Sequence, residues 1–165
     1  MLFRSGRDAQ LVGRKPVGNR AIGDRLPPDK LRVAAACVLF APQTPLLFMG
    51  EEYGERSPFQ FFTDHPDPAV AEATREGRHR DFGFEGRDVP DPQDPETFAR
   101  SKLSRDEQPG LRDLYTELLR LRRRLPPDVT AHADDAARIV RIQRGEVELV
   151  ADFENRTVEI TRKCP

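Results

Sequence analysis

The chain has 165 residues, and its 27 Lys and Arg are nearly balanced by 28 Asp and Glu, which gives a formal net charge of -1. This balance argues against a nucleic-acid binder or a binder of anionic membranes, because both classes usually carry an excess of basic residues. The length and the 37% hydrophobic fraction allow one domain with a real core, or one compact unit with a small appendage.

The first predicted elements are a buried helix and a buried strand. Asp29 can cap a helix, and Leu31–Phe40 is apolar on almost all sides, which predicts a helix surrounded by other parts of the protein. Cys37 lies in this run and is interpreted as a buried thiol. Pro42 disfavours helix in the residue before it, and the short apolar run Pro45–Gly50 is typical of a strand buried on both faces of a parallel sheet. Together they predict a piece of an α/β repeat.

A long irregular segment, residues 51–110, follows this predicted strand. Two short helices are predicted within it, over Ala69–Arg80 and over Glu96–Leu103. Irregular segments of this length are uncommon unless they have a function, and α/β proteins place ligand sites at the carboxyl ends of parallel strands. The segment is therefore the candidate ligand-binding region.

Three groups of side chains in this segment could contact a ligand. Glu51 and Glu52 follow the strand directly, and adjacent residues at a strand end point in opposite directions, so one could face a cleft while the other anchors the loop. The motif Asp64-His65-Pro66-Asp67 offers few ligands for a hard metal ion, which favours structural or substrate hydrogen bonds over a metal site. The phenylalanines of residues 59–62 could form a local core of the loop or a platform for sugar rings.

The last third of the chain changes from helical to strand periodicity. Leucines at helical spacing predict an amphipathic helix over Leu111–Leu125, whose Arg122–Arg124 run could contact phosphates but is interpreted as a solvated helix end. Alternating apolar and polar residues then predict three antiparallel strands, at Ile139–Gln143, Glu146–Ala151 and Thr157–Thr161.

Four motifs resemble the malto-oligosyltrehalose trehalohydrolases, a family within the α-amylase superfamily. Val17–Leu26 resembles the segment after the last catalytic Asp, and Thr44–Gly54 resembles the eighth barrel strand and the loop that follows it. Ser57–His65 and Val89–Leu103 are more specific, and they favour this family over a general amylase. The similarity extends over residues 16–160.

The resemblance implies a fold of class α+β or α/β. The family has a (β/α)8 barrel followed by a small β-sandwich. This chain would contain the last helix and strand region of the barrel, and then part of the antiparallel sandwich. The expected organisation is an atypical segment at residues 1–15, the C-terminal part of the barrel with long substrate-side loops at 16–126, and a partial β domain at 127–165.

The resemblance also implies an activity and its partners. The family is a group of retaining glycosidases that hydrolyse the α-1,4 bond next to the terminal trehalose of maltooligosyl trehalose, with no cofactor and no metal. The expected partner is therefore maltooligosaccharide or maltooligosyl trehalose, and we expect no contact with nucleic acid or membrane. By position in the matching motifs, the residues expected to contact substrate are Asn19, Arg20, Glu51, Glu52, Asp64 and His65.

The chain departs from the family pattern at the catalytic residues. The nucleophile and the general acid lie upstream in the family, and Lys15 stands where the family has its third catalytic Asp. A cation cannot accept hydrogen bonds from sugar hydroxyls, so we expect a chain with no catalytic residue and no activity alone. Its coding sequence would be truncated or rearranged, or the fragment would begin from a different reading frame.

Three further expectations follow from the sequence. An incomplete barrel would leave strand edges exposed, which predicts self-association of the chain. The lack of an apolar leader and the two distant cysteines predict a cytoplasmic protein. The alternatives to a hydrolase fragment are a noncatalytic glucan-binding or regulatory module and a small interaction protein that uses the basic helix end.

Overall fold

The computed structural model describes residues 26–82 and 89–162. The chain divides into two compact units. Of the described residues, the loop unit contains 55–82 and 89–106, and the helix–sheet unit contains 26–54 and 107–162. In the described residues the loop unit has helices α2 (Pro68–Phe82) and α3 (Pro95–Arg100). The helix–sheet unit has helices α1 (Pro28–Phe40) and α4 (Leu111–Arg122), a 3-10 turn at Glu51–Tyr53 and one sheet.

Helix α1 confirms the predicted buried helix. Seven of its side chains are buried, and Leu39 and Phe40 keep 0% and 1% of their surface exposed. The helix stops at Phe40 because Ala41 adopts an extended backbone before Pro42, as the proline rule predicts. The thiol of Cys37 is free and buried within this helix, as expected.

Helix α4 packs on α1 and completes the helical half of the core. Leu111, Tyr115 and Leu118 of α4 are buried in the same apolar cluster as α1. The amphipathic helix is therefore confirmed. It ends three residues before the predicted Leu125, although Leu125 still packs against the cluster.

The sheet has four antiparallel strands in the order β1-β2-β3-β4, and these are Thr130–Asp134, Ile139–Arg144, Val147–Asp152 and Thr157–Arg162. Ile142, Leu149 and Ile160 are paired across three strands, and Leu149 is fully buried against the helices. The three predicted strands are confirmed. Strand β1 was not predicted, because all five of its side chains are exposed and it forms only by pairing with β2.

The predicted buried strand at residues 45–50 is wrong. This segment has no regular secondary structure, and Leu46 and Met49 keep 91% and 52% of their surface exposed. A strand forms only where neighbouring strands pair with its backbone N–H and C=O groups. In the described residues the four strands of the sheet pair only with one another, so the apolar run has no partner.

The loop unit contains the two short helices that the sequence predicts. Helix α2 covers the predicted range and extends beyond it at both ends. Helix α3 begins where the Asp94 side chain accepts a hydrogen bond from the Glu96 amide at 2.9 Å, and it ends three residues before the predicted limit. Within the described ranges, no helix is long and apolar enough to cross a membrane.

Candidate functional site

Glu51 and Glu52 lie on a tight 3-10 turn in the helix–sheet unit. The turn is enclosed by Gly50 and Gly54, whose φ angles are 93° and 76°. A Cβ on Gly54 would meet Cγ of Gln108 at 2.5 Å, so both the backbone conformation and the close approach require glycine. The sequence places this turn directly after the apolar run, and the two glycines give it its shape.

Both carboxylates of this turn fold back onto their own loop. Glu51 accepts a hydrogen bond from the Phe48 amide at 3.1 Å, and Glu52 accepts one from the Gly50 amide at 3.0 Å. Both side chains are half-buried. The sequence predicted that one of the pair could face a cleft while the other anchors the loop. In the structure both anchor the loop, because a 3-10 turn does not alternate its side chains as a strand does.

The surroundings of this pair affect several ionisable groups. Burial raises the pKa of Glu51, the Phe48 amide opposes that increase, and the nearby charge of Glu52 adds to it. Burial also raises the pKa of Tyr115, with a further contribution from both carboxylates. Arg112 stacks over the Tyr53 ring at 5.1 Å and pairs with Glu107 at 2.7 Å. The two carboxylates thus lie near an aromatic ring and a paired cation, and their oxygens can accept hydrogen bonds from hydroxyl groups.

Asp64 and His65 lie in the loop unit, on a segment tied to residues 91–93. Asp64 is exposed, and the backbone N–H of His65 donates to Oε1 of Gln93 at 3.1 Å. Gln93 also donates from Nε2 to the Thr63 hydroxyl at 2.9 Å. The described residues include no group of three or more His, Cys, Asp or Glu that could hold a metal ion. Within the described parts of the chain, the His65 backbone makes this bond, and neither its imidazole nor the Asp64 carboxylate makes a hydrogen bond.

The base of the loop unit is held by a buried carboxylate that the sequence analysis missed. Glu55 is 1% exposed, and it accepts hydrogen bonds from the backbone N–H groups of Arg56, Ser57, Ser104 and Arg105 and from the Ser104 hydroxyl. No local pattern marks this residue, because two of its partners lie about fifty positions away in the sequence. A carboxylate enclosed in this way stabilises the loop and is not accessible to substrate.

Three phenylalanines of the loop unit, Phe59, Phe62 and Phe98, form an aromatic cluster, and Phe61 precedes Phe62 in the sequence. The Phe62 ring meets Phe59 edge-on at 6.1 Å and Phe98 at 5.0 Å. Arg78 lies over Phe61 at 4.8 Å, and Lys102 lies over Phe98 at the same distance. Phe61, Phe62 and Phe98 keep 41%, 36% and 46% of their surface exposed. The Phe62 ring therefore contacts those of Phe59 and Phe98, and the exposed rings present apolar surface with cations beside it.

The six predicted site residues fall into three groups: two lie in each unit, and two lie outside the described residues. Glu51 and Glu52 belong to the helix–sheet unit, and Asp64 and His65 belong to the loop unit. Asn19 and Arg20 lie outside the described residues, as do Lys15 and the whole atypical segment 1–15.

The chain is similar in sequence and in structure to known proteins. No protein-family model matches the chain. It is 46% identical to a malto-oligosyltrehalose trehalohydrolase from Rhizobium sp. (strain M-11), over 88% of this chain and 28% of that protein. It is 49% identical to one from Arthrobacter ramosus, over 81% and 26%. A crystal structure of a Salmonella typhimurium protein assigned as an alpha amylase aligns with a TM-score of 0.62 and 38% identity, over 81% of this chain and 26% of that one. The chain therefore spans about a quarter of the length of these relatives.

Proposed function

Because the chain shares its sequence with one segment of the malto-oligosyltrehalose trehalohydrolases, we propose that it corresponds to the C-terminal part of such an enzyme. The whole enzyme would hydrolyse the α-1,4 bond next to the terminal trehalose of maltooligosyl trehalose. The observation that carries the proposal is the 46–49% identity over more than four fifths of the chain. The described residues would supply substrate-side loops to that enzyme.

The chain would be inactive alone, since the acids nearest the predicted site, Glu51, Glu52 and Glu55, hold backbone amides of the chain itself. A retaining glycosidase needs two carboxyl groups about 5–5.5 Å apart on either side of the scissile bond. Glu51 and Glu52 are each bonded to a backbone amide of their own loop, and Glu55 is enclosed by hydrogen-bond donors. These carboxylates are occupied as acceptors and are poorly placed to act as nucleophile or proton donor.

The substrate role proposed for these loops is hydrogen bonding to sugar hydroxyls. The exposed carboxylate of Asp64 and the imidazole of His65 can accept or donate such bonds, and the half-buried Glu51 and Glu52 retain further lone pairs. Asn19 and Arg20 are proposed contacts from their motif alone.

Trehalose release from maltooligosyl trehalose by the purified chain tests this proposal. We expect no release above the rate in buffer. Turnover above background would refute the proposed inactivity, because it would require a pair of acids within this chain.

The aromatic cluster supports a second candidate, a noncatalytic module that binds glucan. Exposed aromatic rings offer large apolar area, and contiguous apolar surface of this kind marks binding sites. Titration with maltooligosaccharides, followed by NMR, tests it. Phe98→Ala should weaken binding, and Val129→Ala should not, because Val129 is a similarly exposed apolar residue of the other unit. Absence of binding at millimolar sugar would exclude this candidate.

The same proposal includes a pathway, a cellular location and an association state. The enzyme would act in trehalose biosynthesis, and it would lie in the cytoplasm, where the free thiol of Cys37 would remain reduced. The isolated chain would also self-associate, because Leu46 and Met49 expose apolar surface. Sedimentation analysis of the wild-type chain and Leu46→Ser tests the last point. A monomeric wild type would contradict it.

A further inference from the structure

A cleft lined by arginines lies on the helix–sheet unit, apart from the acidic turn. Its volume is about 270 Å³, and its charged lining consists of Arg124, Arg144, Arg162 and Glu146. The apolar side chains of Leu121, Leu125 and Val147 contribute the rest of its surface, with Pro126. Three cations and one anion thus surround a single small space.

The sheet register explains why two of these arginines meet. Arg144 of β2 is paired with Val147 of β3, and Val147 is paired with Arg162 of β4. Residues paired across neighbouring strands lie on the same face of a sheet. Arg124 enters the cleft from the chain just after α4.

Arg144 is buried, and its guanidinium donates hydrogen bonds to backbone carbonyls. It is 4% exposed, and it donates from Nε to the Pro126 carbonyl at 2.9 Å and from Nη1 to the Phe40 carbonyl at 3.0 Å. Among the described residues, its acceptors are these two backbone carbonyls, and no carboxylate forms an ion pair with it. Burying a guanidinium without a counter-charge is costly, because carbonyl dipoles replace only part of its hydration.

A neighbouring arginine adds to this positive potential. Arg122 donates to the carbonyls of Leu39 and Pro42 at 2.9 Å, and also to Ala41 and Gln43. Burial lowers the pKa of Arg144, and the charge of Arg122 lowers it further. The two guanidinium groups stabilise the end of α1, and Arg144 also brings its positive charge to the lining of the adjacent cleft.

We propose that this cleft binds a phosphate group, held by Arg124, Arg144 and Arg162. The planar guanidinium fork matches the oxygen geometry of phosphate, and bonds between charged groups are the strongest hydrogen bonds in proteins. The volume lies near the lower limit of ligand pockets, which favours a free phosphate or the ester of one sugar over a nucleotide. Glu146 can accept a hydroxyl bond from such a sugar.

Titration of the full chain with inorganic phosphate, followed by calorimetry, tests the proposal. Arg124→Gln and Arg162→Gln should each weaken binding about tenfold, since each removes charge-assisted bonds. Arg123→Gln is the matched control, because Arg123 is exposed, carries the same charge and does not line the cleft. Its affinity should equal that of the wild type. Glu146→Gln should bind phosphate more tightly, because it removes the one acid of the lining.

A second arm distinguishes the two sources of phosphate. Tighter binding of a hexose monophosphate than of inorganic phosphate would identify a sugar ester, and equal affinity would identify the free anion. Phosphate should also raise the melting temperature of the wild type above that in chloride at equal ionic strength, and it should not do so in Arg162→Gln. Absence of saturable binding, or equal weakening in Arg123→Gln, would overturn the proposal.

Discussion

Replacing Glu55 with Gln should strongly destabilise the loop unit. Oε2 of Glu55 accepts hydrogen bonds from the backbone N–H groups of Ser104 at 2.7 Å and Arg105 at 3.2 Å. Its Oε1 accepts from the Arg56 and Ser57 amides and from the Ser104 hydroxyl. A glutamine amide has one oxygen and one NH₂ group, so in either orientation the NH₂ group would face N–H donors.

The magnitude follows from the bonds lost. A hydrogen bond to a charged group contributes about 1.5–3 kcal/mol, so losing the two bonds to Oε2 costs about 3–6 kcal/mol. The remaining bonds weaken as well, because the acceptor is no longer charged. This loss is a large part of the total free energy of unfolding of a typical domain, which is about 5–15 kcal/mol.

Amide hydrogen exchange gives the most direct assay. The exchange protection of the Ser104 and Arg105 amides should fall by roughly a hundredfold or more in Glu55→Gln, since about 1.4 kcal/mol corresponds to tenfold. Glu76→Gln is the matched control, because Glu76 is exposed in the same unit. Its effect on urea unfolding should stay within about 0.5 kcal/mol. Equal protection at Ser104 and Arg105 in both variants would refute the reasoning.

Three further perturbations test other parts of the structure. Arg122→Met removes the donors that cap the carbonyls at the end of α1, so the free energy of unfolding in urea should fall by about 2–3 kcal/mol. The exposed Arg123→Met is the control, and an equal loss in both variants would contradict the capping role. Burial raises the pKa of the Cys37 thiol from 9.0 to about 11. The unfolded chain therefore loses this proton first, and stability should fall by about 2–3 kcal/mol between pH 9 and pH 11 relative to Cys37→Ala. If the stability of both proteins changes with pH in the same way, burial does not raise the pKa of this thiol. Burial raises the pKa of Glu51, so its charge costs stability at neutral pH, and that cost disappears as the pH falls through the folded pKa and the group is protonated. Relative to the wild type, Glu51→Gln should raise the thermal midpoint at pH 7 and not at pH 3. Glu52→Gln is the neighbouring control. An equal shift of the Glu51→Gln midpoint at both pH values would show that the charge of Glu51 does not cost stability.

The candidate site was only partly predictable from the sequence. The position of Glu51 and Glu52 directly after an apolar run was visible, and so was the run of phenylalanines at residues 59–62. The direction of the carboxylates was not visible, because it depends on a 3-10 turn between two glycines with positive φ. The role of Phe98 also depended on the fold, since it joins the aromatic cluster from helix α3, more than thirty residues along the chain.

The sequence by itself determined the helices and three of the four strands. Their periodicity directly encodes which face of each element is buried, as in the leucines of α4 and the alternation at Val147, Leu149 and Ala151. Tertiary structure alone decided the rest. Residues 45–50 form no strand because pairing requires a neighbour, and β1 forms because β2 provides one. Glu55 and Arg144 are buried because donors and acceptors distant in sequence converge on them, a condition that no local pattern records.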